Sequence, residues 1–200
     1  MSEQEQTIQA GFVRGMIEAV QEIAGVQGRN LVLHQAHLEQ YIENPPPMDD
    51  KVFVPIPHYQ ALERAMMDVF GSKGSRVVLL YAGEATIHRA IEGIPGLFSS
   101  VMKLIPGGLR KQAVFQLAVS QTTRSTGVPA KVEFHKDWVV FSNPGCTACA
   151  GRHSDEPICY YASGMLITLA EWATGKKYKA PEVKCKAKGD EACVYEVREA

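Results

Sequence analysis

The sequence predicts an α+β protein, with a helical first part packed on a largely antiparallel sheet supplied by the last part. Three observations carry this. Apolar residues recur at helical spacing through the first 125 or so positions. The period then changes to β-branched and aromatic runs, "AKVEFHKDWVVFSN" (130–143) and "EVKCKAKGDEACVYEV" (182–197). One long apolar segment, 157–174, lies between those runs and closes on Gly175. Helices segregated from strands along a chain indicate α+β layering.

In order, Ile8, Phe12, Val13, Met16, Ile17, Val20 and Ile23 make one apolar helix face over 4–24, ended by Gly25. A second amphipathic helix spans 29–43 with Leu31, Val32, Ala36, Leu38 and Tyr41. "ENPPPMDDK" (43–51) breaks it, because three consecutive prolines forbid helix. "VFVPIP" (52–57) is suited only to a sheet edge. Helices are expected over 58–71 and 75–92, although "RVVLLYAG" also suits a buried strand, and a further helical region over 96–125 is interrupted by "IPGG" (105–108). A hairpin turning at His135-Lys136-Asp137 follows, then a Pro-Gly-Cys loop, the 157–174 helix and a closing hairpin at 182–198. The chain contains no internal repeat, and 200 residues with 46% hydrophobic content suit a single domain, 1–200, with its own core.

A net charge of −1 and scattered Lys and Arg argue against a nucleic-acid partner. "MSEQEQTIQAGF" has neither the basic nor the apolar region of a secretory leader, and "VVLLYA" and "GMLITLA" are too short to span a membrane, so a cytoplasmic protein is expected. In a reducing compartment, five cysteines read as metal ligands or redox thiols rather than structural disulfides.

The closing hairpin poses the sharpest question. A three-residue Lys188-Gly189-Asp190 loop pairs Ala187 with Glu191 and sets Cys185 opposite Cys193 on one sheet face. A two-residue loop would send the two thiols to opposite faces. Two facing thiolates are half of a tetrahedral zinc site, and equally they are two small buried hydrophobes. Cys159 and Glu182 stand upstream as further ligands. Cys146-x-x-Cys149, followed by His153, is open to three readings: a second metal site, a reversible disulfide, or an inert loop. The pair is also able to replace Cys159 and Glu182 in the zinc site.

The run 157–197 resembles the C-terminal signature of the 4-vinyl-reductase-type (hydrocarbon-binding) domain. The matching residues are Cys159, Gly164, Gly175, Glu182, Cys185, Gly189 with Asp190, and Cys193 with Tyr195. Relatives include bacteriochlorophyll-synthesis proteins, archaeal hydrocarbon-binding proteins and phenol-responsive sensor domains. The resemblance implies a fold similar to haem nitric-oxide-binding domains and TRAPP subunits, built around an apolar pocket, and a homodimer. It also implies a structural zinc held by Cys159, Glu182, Cys185 and Cys193. Three thiolates and a carboxylate saturate four-coordinate zinc and leave no position for catalytic water.

Apolar residues in 96–119 exceed the needs of one helix face. Phe98, Val101, Met102, Phe115 and Val119 are therefore candidates for a pocket wall, alongside the plain reading of core. His34 with His37, His135 beside Trp138, and Glu84, His88 and Arg89 read as solvated or salt-bridged surface. No Gly-rich nicotinamide or flavin turn, P-loop, nucleophile elbow or HExxH helix is present, and no catalytic residue is assigned. The expected function is carriage or sensing of an apolar, planar small molecule, such as a tetrapyrrole intermediate or a smaller aromatic. The alternatives are a 4-vinyl reductase, alone or as an obligate subunit acting on a chlorophyll precursor, and a ligand-free dimeric interaction module.

Overall fold

The structure is a computed structural model describing residues 7–49, 51–93 and 104–200. Element order is β1 (Thr7–Gln9), α1 (Ala10–Gln35), α2 (Gln40–Glu43), β2 (Phe53–Pro55), α3 (Ile56–Glu92), α4 (Gly107–Thr126), β3 (Lys131–Phe134), β4 (Trp138–Asn143), α5 (Tyr160–Thr174), β5 (Tyr178–Lys179), β6 (Glu182–Lys184) and β7 (Cys193–Glu199). This is the α+β arrangement expected from the sequence.

The chain forms two compact units, Met1–Ala85 and Thr86–Ala200. In the first, α1 and the leading part of α3 bury Val13, Met16, Val20, Leu33, Leu62, Met66 and Leu79. Both helices break at a glycine with positive φ, Gly25 at 71° and Gly71 at 66°. Glycine adopts this conformation freely because it lacks Cβ. The breaks fall where the sequence places helix ends. The chain start differs from expectation: Thr7–Gln9 is a strand, pairing antiparallel with Phe53–Pro55, so the helix begins only at Ala10. A three-residue ribbon is invisible to periodicity because it is shorter than one helical turn. "RVVLLYAG" is helical within α3.

In the second unit, the sheet runs β3-β4-β7-β5, with β6 also pairing β7. All its pairings are antiparallel. The β3–β4 hairpin turns at His135-Lys136-Asp137 as expected. His135 N donates to Trp138 O at 2.9 Å, and the two rings stack at 4.7 Å. Helices α4 and α5 pack on this sheet and bury Phe115, Leu166 and Ala170 together with Val139, Tyr195 and Val197 of the strands. Arg110 Nε donates to Ala173 O at 2.6 Å, tying the start of α4 to the end of α5. Among the described residues, no helix is long and apolar enough to cross a membrane.

Candidate metal centre

Three backbone segments converge where β4 ends, α5 begins and β6 meets β7. The first is the loop after β4. Its anchor is the pairing of Asn143 with Cys193, and Asn143 Oδ1 accepts from Gly145 N at 3.0 Å to turn the chain. A Cβ on Gly145 would lie 2.7 Å from Thr126 Cβ and Oγ1 and 2.9 Å from Val128 Cβ, so glycine lets the loop pass close against the end of α4. The turn delivers Cys146 and Cys149 inward, and Arg152 N donates to Cys149 O at 3.0 Å.

The second segment is the start of α5. Cys159 caps the helix, and its N–H donates to Glu182 Oε2 at 3.0 Å. The exposed amides at a helix N-terminus favour negative charge, which suits a thiolate and a carboxylate there.

The third segment is the β6–β7 ribbon. Glu182 pairs with Tyr195 and Lys184 with Val194, with a bulge between them. On a regular strand Glu182 and Cys185 face opposite ways, and the bulge removes that conflict by re-aiming one of them. The Lys184–Val194 register points Cys185 at Cys193, as the sequence anticipates. The connection is not a three-residue loop, however. It is a 3₁₀ turn over Lys186–Lys188 followed by Gly189, and Asp190 Oδ2 accepts from Cys185 N at 2.8 Å. That carboxylate supplies local closure, which spacing alone cannot reveal. Lys186 N also donates to Cys193 Sγ at 3.5 Å, a bond that favours the thiolate.

All five cysteines are free and buried. The Cys159 Sγ lies 3.1 Å from Cys149, 3.4 Å from Cys146 and 3.8 Å from Cys193. Cys149 Sγ is 3.5 Å from both Cys185 and Cys193. Two sets of four ligand atoms lie within 4.8 Å of one another: Cys146, Cys149, Cys159, Cys193, and Cys159, Glu182, Cys185, Cys193. Sulfurs around one tetrahedral zinc at 2.3 Å stand about 3.8 Å apart, so the spacing has the scale of a metal centre. Sequence reasoning names all six donors but leaves Cys146 and Cys149 as a separate motif. The structure brings them into the same cluster, because β4 pairs with β7.

The chemistry of the donors points the same way. Thiol donation from Cys149 pulls Cys146 well below its ordinary pKa, and donation from Cys159 brings Cys185 down to about 6. Cys159 and Cys193 move upward, chiefly because Cys146 competes for their protons. Burial pushes Glu182 up to about 8, and its Oε1 is buried without a hydrogen-bond partner. A cation resolves these conflicts by binding the deprotonated forms. The donor set therefore fits a soft or borderline metal ion such as zinc.

The pocket candidates are divided. Phe115 is fully buried and Val119 half-buried, while Phe98, Val101 and Met102 lie outside the described residues. Of the further apolar residues on this stretch, Leu104, Leu109 and Leu117 are exposed rather than inward-facing. A cleft of about 450 Å³ opens beside the 3₁₀ turn, lined by His153, Ser154, Asp155, Ala187, Lys188 and Gly189, and its lining is too polar for a hydrocarbon guest.

Residues 139–199 match the family model of the 4-vinyl-reductase-type domain. That stretch contains all six donors and supports a domain of this type in this part of the chain. An uncharacterised protein of Methanocaldococcus jannaschii, MJ0745, is 34% identical over 67 residues, a match spanning 34% of this chain and 36% of that protein. The chain thus spans about a third of the length of this curated relative. Among solved structures, a point mutant of the T. tengcongensis H-NOX protein has a TM-score of 0.62 at 13% identity, covering 96% of each chain. The phenol-responsive sensory domain of the transcription activator PoxR, solved with phenol, has a TM-score of 0.53 at 13% identity, covering 76% of this chain and 77% of that one. At such identities the likeness is one of fold: the H-NOX-type α+β fold.

Proposed function

We propose that this chain is a metal-stapled module that binds an apolar small molecule and acts as a sensor or carrier. The observation that carries the reading is the burial of five thiols and Glu182 at the junction of β4, α5, β6 and β7, inside the segment that matches the 4-vinyl-reductase-type domain. Cys159, Glu182, Cys185 and Cys193 would hold a zinc ion and fill its four positions. A closed site of this kind contributes folding free energy rather than Lewis-acid chemistry. Its role is to clamp the start of α5 to the terminal ribbon and so to fix one wall of the second unit.

The small-molecule reading draws on the PoxR sensory domain, which was solved with phenol, and on the family match. H-NOX neighbours include a study of haem distortion, so haem enters as a guest to weigh. Five of the six histidines here are exposed. The sixth, half-buried His58, is engaged by the Tyr41 hydroxyl at 2.7 Å. A haem needing a buried histidine ligand suits this chain less well than a neutral aromatic does.

Native mass spectrometry of the purified full chain, before and after titration with phenol, tests the reading. Retained zinc together with a bound phenol or a co-purified aromatic supports it. A metal-free, guest-free protein overturns it, and NADPH-dependent loss of a vinyl group from a chlorophyll precursor would replace it with a reductase.

A further inference from the structure

The two ligand sets are not alternatives of equal standing, because neither one disposes of all six donors. An ion held by Cys159, Glu182, Cys185 and Cys193 leaves Cys146 and Cys149 as buried thiols, with Cys149 only 3.1 Å from a coordinated sulfur. An ion held by Cys146, Cys149, Cys159 and Cys193 instead leaves Glu182, whose Oε1 is already buried without a partner. Buried polar groups of this kind are strongly disfavoured unless they are paired or coordinate a metal.

The sets share Cys159 and Cys193, whose sulfurs stand 3.8 Å apart. That is about the edge length of a tetrahedral zinc–thiolate site. Two tetrahedra can therefore meet along this edge. One is completed by the Cys146-x-x-Cys149 knuckle, and the other by Glu182 and Cys185 across the β6 bulge. Five thiolates and one carboxylate carry six negative charges. One dication would leave four of them uncompensated in the interior, whereas two leave two.

We propose that the chain holds a binuclear zinc cluster, with Cys159 and Cys193 as bridging thiolates, Cys146 and Cys149 terminal on one ion, and Glu182 and Cys185 terminal on the other. The proposal rests on the metal-staple reading above and adds a second ion to it. Cys149 and Cys185, terminal on different ions, stand 3.5 Å apart. Seating both ions moves them apart by roughly 2 Å, a shift that side-chain rotation and a small displacement of the knuckle can supply. The structural consequence is that the loop after β4 joins α5 and the terminal ribbon in one cross-linked unit.

The test is metal counting on the full chain, purified with zinc in excess and freed of loosely bound metal. Elemental analysis and native mass spectrometry should give two zinc ions per chain. After exchange with ¹¹³Cd, NMR should show two sulfur-rich resonances coupled to each other through the bridging sulfurs. The double variant Cys146→Ser/Cys149→Ser should remain folded and hold one ion. One ion in the unmodified chain overturns the binuclear cluster and leaves the single staple standing. No ion overturns both. Two uncoupled cadmium resonances remove the bridge, and iron with acid-labile sulfide replaces the zinc pair with an iron–sulfur centre.

Discussion

The backbone N–H of Cys159 donates to Glu182 Oε2 at 3.0 Å, joining the first turn of α5 to a strand 23 residues away. One carboxylate thus has two duties, because its other oxygen is buried and aimed at no protein donor. Glu182→Gln keeps an acceptor for the Cys159 amide but removes the charge. It should preserve the fold and weaken zinc affinity by about 10- to 100-fold, the range seen when groups supporting a metal site are lost. Glu182→Ala removes both functions and should also lower Tm. Competitive zinc titration and thermal melts separate the two variants, and equal effects from both would show that only the hydrogen bond matters.

Cys193 lies at the centre of the cluster, fully buried and part of both ligand sets. Cys193→Ser should lose metal and destabilise the second unit by more than about 4 kcal/mol, as the loss of a structural metal does. A chelator added to the unmodified chain should lower its melting temperature in the same direction. If the serine variant melts with the unmodified protein and carries the same metal, the staple is wrong.

Much of this site is legible in the sequence because its information is local. The match of Cys185 to Cys193 follows from strand period and a short turn, and the bulged register of Glu182 and Lys184 preserves it. The helix ends at Gly25 and Gly175 are legible for the same reason. The placement of Cys146 and Cys149 is not. It depends on β4 lying beside β7, so that Asn143 meets Cys193 across 50 residues of chain, and spacing within 143–153 says nothing about that. Pairing the two most β-prone runs in the sequence is the available signal. The short strands Thr7–Gln9 and Tyr178–Lys179 leave no trace in the pattern because two or three residues show no period.

Phe115 on α4 has no solvent exposure and belongs both to the predicted pocket wall and to the core. Phe115→Ala should destabilise by about 3–5 kcal/mol if the ring is simply packed. A smaller loss, accompanied by altered phenol affinity, would mark the ring as lining a guest cavity.

Gly145 permits the loop after β4 to reach the cluster, since an added methyl would meet Thr126 at 2.7 Å and Val128 at 2.9 Å. Both neighbours are held. Thr126 Oγ1 donates to Thr122 O at 2.9 Å, and Val128 N donates to Thr126 Oγ1 at 3.2 Å, so neither side chain swings away freely. Gly145→Ala must therefore push the loop outward, and overpacking of this kind costs about 1–3 kcal/mol. Because Cys146 is the next residue, the displacement should also reach the metal. Zinc binding to the knuckle should weaken in Gly145→Ala, while Cys185 and Glu182 keep their positions on the ribbon. Trimming the obstacle in Gly145→Ala/Thr126→Ser should recover part of both losses. Full zinc occupancy and an unchanged melt in the single variant would mean that the loop does not need this close approach to deliver its cysteines.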